Sequence, residues 1–118
     1  MEVYIARQPI FDLNMNVVAY ELLHRSNDKN QYIGVDPDEA TSDVIINTFQ
    51  NFGIANLTEG KRAFINFTEK LIFDEVATIF PNDILVIEVL ETVRPTRMLI
   101  ERCKQLKRLG YTIVLDDF

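Results

Sequence analysis

The chain has 118 residues, of which 47% are apolar and 25% charged. That is ordinary globular composition, and it excludes a disordered chain or a string of domains. A net charge of −6 and an isoelectric point near 4.7 repel phosphate backbones and anionic bilayers, so duplex nucleic acid is excluded as a general partner. No basic segment followed by an apolar run opens the chain, and no stretch approaches the roughly 18 apolar residues of a membrane span. One cysteine, Cys103, permits no internal disulfide and fits a reducing compartment. The expected location is the cytoplasm.

Two runs rich in β-branched and aromatic residues, Val3 to Phe11 and Val17 to Arg25, flank Asp12-Leu13-Asn14-Met15-Asn16, which predicts an antiparallel hairpin. Residues 26–35 are polar and read as a loop. Asp36 as cap, Pro37 at the first helical position and the acids Asp38 and Glu39 announce a helix whose apolar spacing runs through Ala40, Val44, Ile45, Thr48 and Phe52. Gly53 supplies its left-handed stop. A turn-rich stretch to Arg62 leads into a short apolar strand, Ala63 to Phe67, and Thr68 caps a second helix over 69–79 that Pro81 ends. Ile84 to Val89 is apolar almost without interruption, the pattern of a strand covered on both faces. Pro95 opens a third helix with Met98, Leu99, Cys103, Leu106 and Leu109 as its apolar stripe before Gly110. Tyr111 to Leu115 is the last strand, running into Asp116-Asp117-Phe118.

Hairpin, helix, strand, helix, strand, helix, strand is the order of an α/β domain with right-handed crossovers and a mostly parallel sheet. One such domain covers 1–118. The chain ends on a strand without a cap or polar tail, as a piece of something longer would. It has less than half of the roughly 250 residues usual for a closed (β/α)8 barrel.

Four strands carry polar oxygens at or near the carboxyl ends of apolar runs: Glu21, Asn66, Glu88, and Asp116 with Asp117. In parallel α/β folds these ends share the rim on which active sites are built. A lone buried carboxylate costs several kcal/mol, and several together repel one another unless a cation lies among them. Carboxylate and amide oxygens without His or Cys point to Mg²⁺, Mn²⁺ or Ca²⁺ rather than zinc.

These residues stand in a recognisable setting. Gln8-Pro9-Ile10 followed by Glu21-Leu22-Leu23-His24-Arg25 resembles the Gln-Pro-Ile and Glu-Ala-Leu-Leu-Arg opening of EAL domains, the cyclic-di-GMP phosphodiesterases and their degenerate relatives. Ile65-Asn66-Phe67-Thr68 is similar to that family's Val-Asn-Leu-Ser, and Glu88-Val89-Leu90-Glu91 to its Glu-Ile-Thr-Glu. Leu106 to Gly110 with Leu115-Asp116-Asp117-Phe118 resembles its Leu-Gly … Asp-Asp-Phe-Gly segment. Tyr20 to Arg25 beside Ala6 to Ile10 resembles the subgroup in which an EAL-like domain precedes an HDOD domain.

The resemblance implies the first half of a TIM-like (β/α)8 barrel. It implies Glu21, Asn66, Glu88 and Asp116 as metal ligands, with Glu21, Asp116 and Asp117 catalytic. Asp117 would serve a second metal or hold the first. Gln8 and Arg25 would line the dinucleotide pocket. The cofactor would be Mg²⁺ or Mn²⁺, with Ca²⁺ a candidate inhibitor, and the reaction cleavage of cyclic-di-GMP to pGpG at a two-metal site. Leu22 replaces the signature alanine and Leu90 a threonine, and the family's later lysine and acids fall beyond Phe118. The 118 residues alone are therefore expected to be inactive, with the longer protein carrying the activity. The alternative is a catalytically silent regulatory or dimerisation module. Exposed sheet edges predict self-association, and an HDOD domain is the expected carboxy-terminal neighbour.

Other features read as structural. His24 alternates away from Glu21 and is assigned to packing or solvent, and Cys103 to the core. Arg94, Arg97, Arg102, Lys104, Lys107 and Arg108, half of the 12 basic residues, read as a solvated helix face or an interdomain contact. No Gly-rich phosphate loop occurs.

Overall fold

A computed structural model of the chain describes residues 3–26, 53–89 and 93–115. The helix expected over 36–52, most of the 26–35 loop, Leu90, and the acids Asp116 and Asp117 lie outside the described residues. Five strands, β1 (Val3–Phe11), β2 (Val17–Ser26), β3 (Arg62–Phe67), β4 (Leu85–Val89) and β5 (Thr112–Leu115), follow one another in the sheet in chain order. The chain divides into two compact units, Met1–Ala63 and Phe64–Phe118.

In the first unit β1 and β2 form the expected antiparallel hairpin, with Gln8 facing Glu21 and Ile10 facing Ala19 before a register shift at Ile10/Phe11. The turn is held by Asp12, whose Oδ1 accepts the backbone N–H groups of Asn14 at 2.8 Å and Asn16 at 3.0 Å. A short polar side chain that bonds its own backbone two residues on is why Asx residues mark turns. This places Met15 at φ 67.

Helix α1 (Ile54–Leu57) occupies part of the stretch predicted as turn. Gly53 has a positive φ, 69, but with ψ 129 it stands at the amino end of α1. Thr58 closes this helix by donating its hydroxyl to Ile54 O and Lys61 O.

In the second unit α2 (Glu69–Phe73) starts as predicted at Thr68, whose Oγ1 accepts the Leu71 N–H at 3.3 Å. The helix expected to continue to 79 instead breaks at Glu75, φ 60 and ψ 28, and resumes as one 3-10 turn, Val76–Ile79. Val76, Thr78 and Ile79 are β-branched and favour the helix little. Arg102 donates to Glu75 Oε1 at 2.6 Å from the following helix, so a tertiary contact fixes the break.

Helix α3 (Arg97–Arg108) begins at Thr96, which accepts the Leu99 N–H at 3.2 Å, so Pro95 precedes the cap rather than opening the helix. It ends at Gly110, φ 98, where Tyr111 N–H reaches Leu106 O and Gly110 N–H reaches Lys107 O. This pair of bonds is the Schellman closure, which needs a left-handed residue.

All five residues of β4 are buried, as continuous apolarity implied, and Phe67, Leu71, Ile72, Leu85 and Ile87 are core side chains. The stripe of α3 is narrower than predicted. Leu99 and Leu106 are buried and Cys103 half-buried, while Met98 and Leu109 are 73% and 58% exposed. Successive residues turn about 100° around a helix, so Met98 and Leu109 lie to one side of the line joining Leu99 and Leu106. Burial pushes the Cys103 thiol pKa up, as for a core thiol.

Candidate metal centre

Glu21 is half-buried in β2 and Gln8 exposed in β1, directly opposite each other in the register. Directly paired residues of an antiparallel ladder project to one face, so the hairpin brings these two candidates together. Arg25 pairs with Tyr4 and His24 with Ile5; their side chains lie outside the described residues.

Leu22 is 5% exposed. Strand alternation turns it to the face opposite Glu21, so its bulk enters the hairpin's packing and leaves the face of Glu21 free.

In the second unit Asn66 lies in β3 and Glu88 in β4, on neighbouring strands. The strand around Asn66 alternates, with Ala63, Ile65 and Phe67 buried and Phe64 and Asn66 half-buried. Glu88 is 8% exposed, a carboxylate within an otherwise apolar buried strand. The Oδ1 of Asn66 is inaccessible to solvent and has no hydrogen-bond partner among the described residues. A buried carbonyl oxygen left so costs about 1–3 kcal/mol, and a hard cation or a water would relieve it. An amide oxygen and a carboxylate on adjacent strands are donors that fit Mg²⁺, Mn²⁺ or Ca²⁺. Among the described residues no three His, Cys, Asp or Glu cluster as a metal cage.

The structure also holds a constellation that the sequence reading missed, and it lies within the first unit. The Arg7 guanidinium sits 4.6 Å from the centroid of the Tyr20 ring and donates to Leu57 O at 3.0 Å. Tyr20 donates its phenol proton to Glu59 Oε2 at 3.0 Å, and Arg7 lies 3.7 Å from Glu59 Oε1. Glu59 is held at φ 55. These contacts tie β1, β2 and the turn after α1 together at the residue preceding Glu21. A cation in an otherwise apolar strand was the available signal, but its partner is 52 positions away in sequence (59 − 7).

No family model matches the chain. It is 54% identical over all 118 residues to the uncharacterised protein YuxH of Bacillus subtilis, of which it covers 29%. To the cyclic di-GMP phosphodiesterase CdgJ of Vibrio cholerae it is 37% identical over 116 residues, 98% of this chain and 27% of that protein. Among solved structures, the EAL enzyme Bd1971 in its cAMP and cyclic-di-GMP bound form matches 99% of the chain and 40% of its own length, with a TM-score of 0.63 and 18% identity. Its cAMP-bound form matches with a TM-score of 0.65. The chain thus spans less than a third of these curated relatives. The mixed sheet, an antiparallel hairpin continuing into parallel strands, is the fold of the corresponding part of an EAL enzyme. By sequence and by fold, the chain is EAL-like.

Proposed function

We propose that these residues form part of an EAL-type domain that acts in cyclic-di-GMP signalling, within a polypeptide longer than 118 residues. The observation that carries this reading is Asn66 Oδ1, buried and without a hydrogen-bond partner among the described residues, on the strand next to buried Glu88. The similarity to a phosphodiesterase and to an EAL enzyme supports the same reading.

In this proposal Glu21, Asn66, Glu88 and Asp116 hold a divalent cation, Mg²⁺ or Mn²⁺ in the active state, and Ca²⁺ is the inhibitory ion. When bound, the metal polarises the scissile phosphodiester and lowers the pKa of a water. Asp117 serves as a catalytic group. Gln8, on the face of Glu21, and Arg25 bind the dinucleotide, Arg25 by a bidentate contact to phosphate or a guanine edge. The relatives are more than three times as long as this chain, which leaves room for the proposed HDOD neighbour.

The test is conversion of cyclic-di-GMP to pGpG by the longer protein, with and without Mg²⁺ or Mn²⁺. Activity that depends on the metal and falls at least about a hundredfold in Glu21→Ala or Glu88→Ala is the expected outcome. Binding of the dinucleotide without turnover would overturn the enzyme and leave a regulatory module. The burial of Leu22 away from Glu21 favours the metal-competent reading, since the departure from the signature alanine does not crowd the metal face.

A further inference from the structure

Among the described residues no hydrogen bond or ion pair holds the side chain of Glu21. Its place is therefore set by the course of β2, and both of its neighbours in that strand are anchored. Leu22 is 5% exposed and Tyr20 7%, and alternation puts both on the face opposite Glu21. Tyr20 is held further by the bond from its hydroxyl to Glu59 Oε2 at 3.0 Å, which reaches out of the strand. Arg7 faces Leu22 and stands diagonal to Tyr20, on that same face, with its guanidinium over the ring. It also donates to Leu57 O at 3.0 Å, two residues before Glu59. The strands that carry Gln8 and Glu21 are thus gripped from behind, and none of these contacts lies on the face of Glu21.

Glu59 is the joint of this clamp. It stands at φ 55, which a glycine adopts freely and a glutamate only under constraint. Gly60 follows at φ 78. Of these two left-handed residues only the first carries a side chain, and that side chain meets Tyr20 and Arg7. The two contacts differ in weight. The pair with Arg7, at 3.7 Å, joins side chains 44% and 56% exposed, and an exposed ion pair contributes little. The phenol bond starts from a buried residue, where leaving a donor unsatisfied is costly. The bond to Tyr20 therefore dominates.

We propose that Glu59 is a positioning residue for Glu21: through Tyr20 it fixes the segment of β2 from which Glu21 serves the metal. This rests on the proposal that Glu21 is a metal ligand, and it adds a residue outside the ligand set. The test is the Mn²⁺ affinity of the longer protein, read by electron paramagnetic resonance of the free ion, beside its thermal midpoint. Glu59→Gly removes the side chain and relieves the left-handed backbone, effects of opposite sign on stability, so the midpoint should shift little. The Mn²⁺ dissociation constant should nevertheless rise at least about tenfold. Glu59→Gln keeps an oxygen for the phenol and should stay within about threefold of the parent. In a Glu21→Gln background the glycine change should add no further loss, because its effect passes through Glu21. Parent-like affinity in Glu59→Gly, or a loss in Glu59→Gln as large as in Glu59→Gly, would overturn the proposal. So would an equal further loss in the Glu21→Gln background, the mark of a general loosening. The glycine and glutamine variants decide the matter even where the Glu21→Gln protein binds too weakly to compare. Mn²⁺ affinity left unchanged by Glu21→Gln alone would instead overturn the metal reading, and the positioning role with it.

Discussion

Tyr20 shows how one side chain ties local structure to the candidate site. Its phenol proton goes to Glu59, and that hydrogen bond, with burial and the Glu59 charge, raises its pKa above the usual 10.0, the Arg7 charge opposing the rise. A raised folded-state value means that the neutral phenol is the form favoured by folding. The stabilisation is fully present below pH 10.0 and is lost as pH rises through the folded value. Tyr20→Phe should lower the thermal midpoint at pH 7 while keeping the ring beneath Arg7. It should also flatten the alkaline fall in stability of the parent, which thermal melts between neutral pH and pH 11 or so would read. An unchanged alkaline slope would mean that Glu59 is not the phenol's partner. Glu59 itself is a non-glycine residue at φ 55, a conformation that persists where surrounding contacts hold it.

At the scale of elements, the end of α3 is fixed twice over. The Schellman closure needs a left-handed residue, and Gly110 at φ 98 supplies it. Asn82 then crosses to donate to Leu109 O at 2.8 Å, and a Cβ on Gly110 would lie 2.5 Å from that amide nitrogen. Tyr111 adds a second tie, donating its hydroxyl to Phe80 O at 2.6 Å. Gly110→Ala therefore combines an unfavourable φ with the loss of a cross-link, and should cost about 2 kcal/mol in urea unfolding. A change below about 0.5 kcal/mol would show that the Asn82 contact gives way freely. The same region holds β4 and β5 in parallel register, Glu88 facing Val114.

For the molecule as a whole, stability and site draw on the same strands. Phe67 is fully buried one residue after Asn66, and Leu85 and Ile87 are fully buried in the strand of Glu88. The apolar residues fix the strands, and the fixed strands hold polar oxygens where burial makes them costly. Phe67→Ala should destabilise by about 4 kcal/mol, a large part of the roughly 5–15 kcal/mol expected of a domain. Chemical denaturation reads this directly. A loss below about 1 kcal/mol would mean that the core around β3 collapses to fill the space.

The hairpin, the three later strands, the Thr68 cap and the stop at Gly110 were legible in the sequence. Each is decided within a few residues, by alternation, by a side chain that bonds its own backbone, or by a position only glycine fills easily. The placement of Glu21, Asn66 and Glu88 within strands was legible too, because the apolar runs around them mark those strands. The break of the second helix at Glu75 was not, since Arg102 on another helix holds it. Nor was the exposure of Met98 and Leu109, because helical spacing gives a stripe but the neighbouring surface decides how much of it is covered. The pairing of Arg7 with Tyr20 and Glu59 joins residues up to 52 positions apart (59 − 7). Local chemistry thus wrote the elements, and tertiary structure chose which polar groups meet, because only the packed chain brings distant side chains within bonding range.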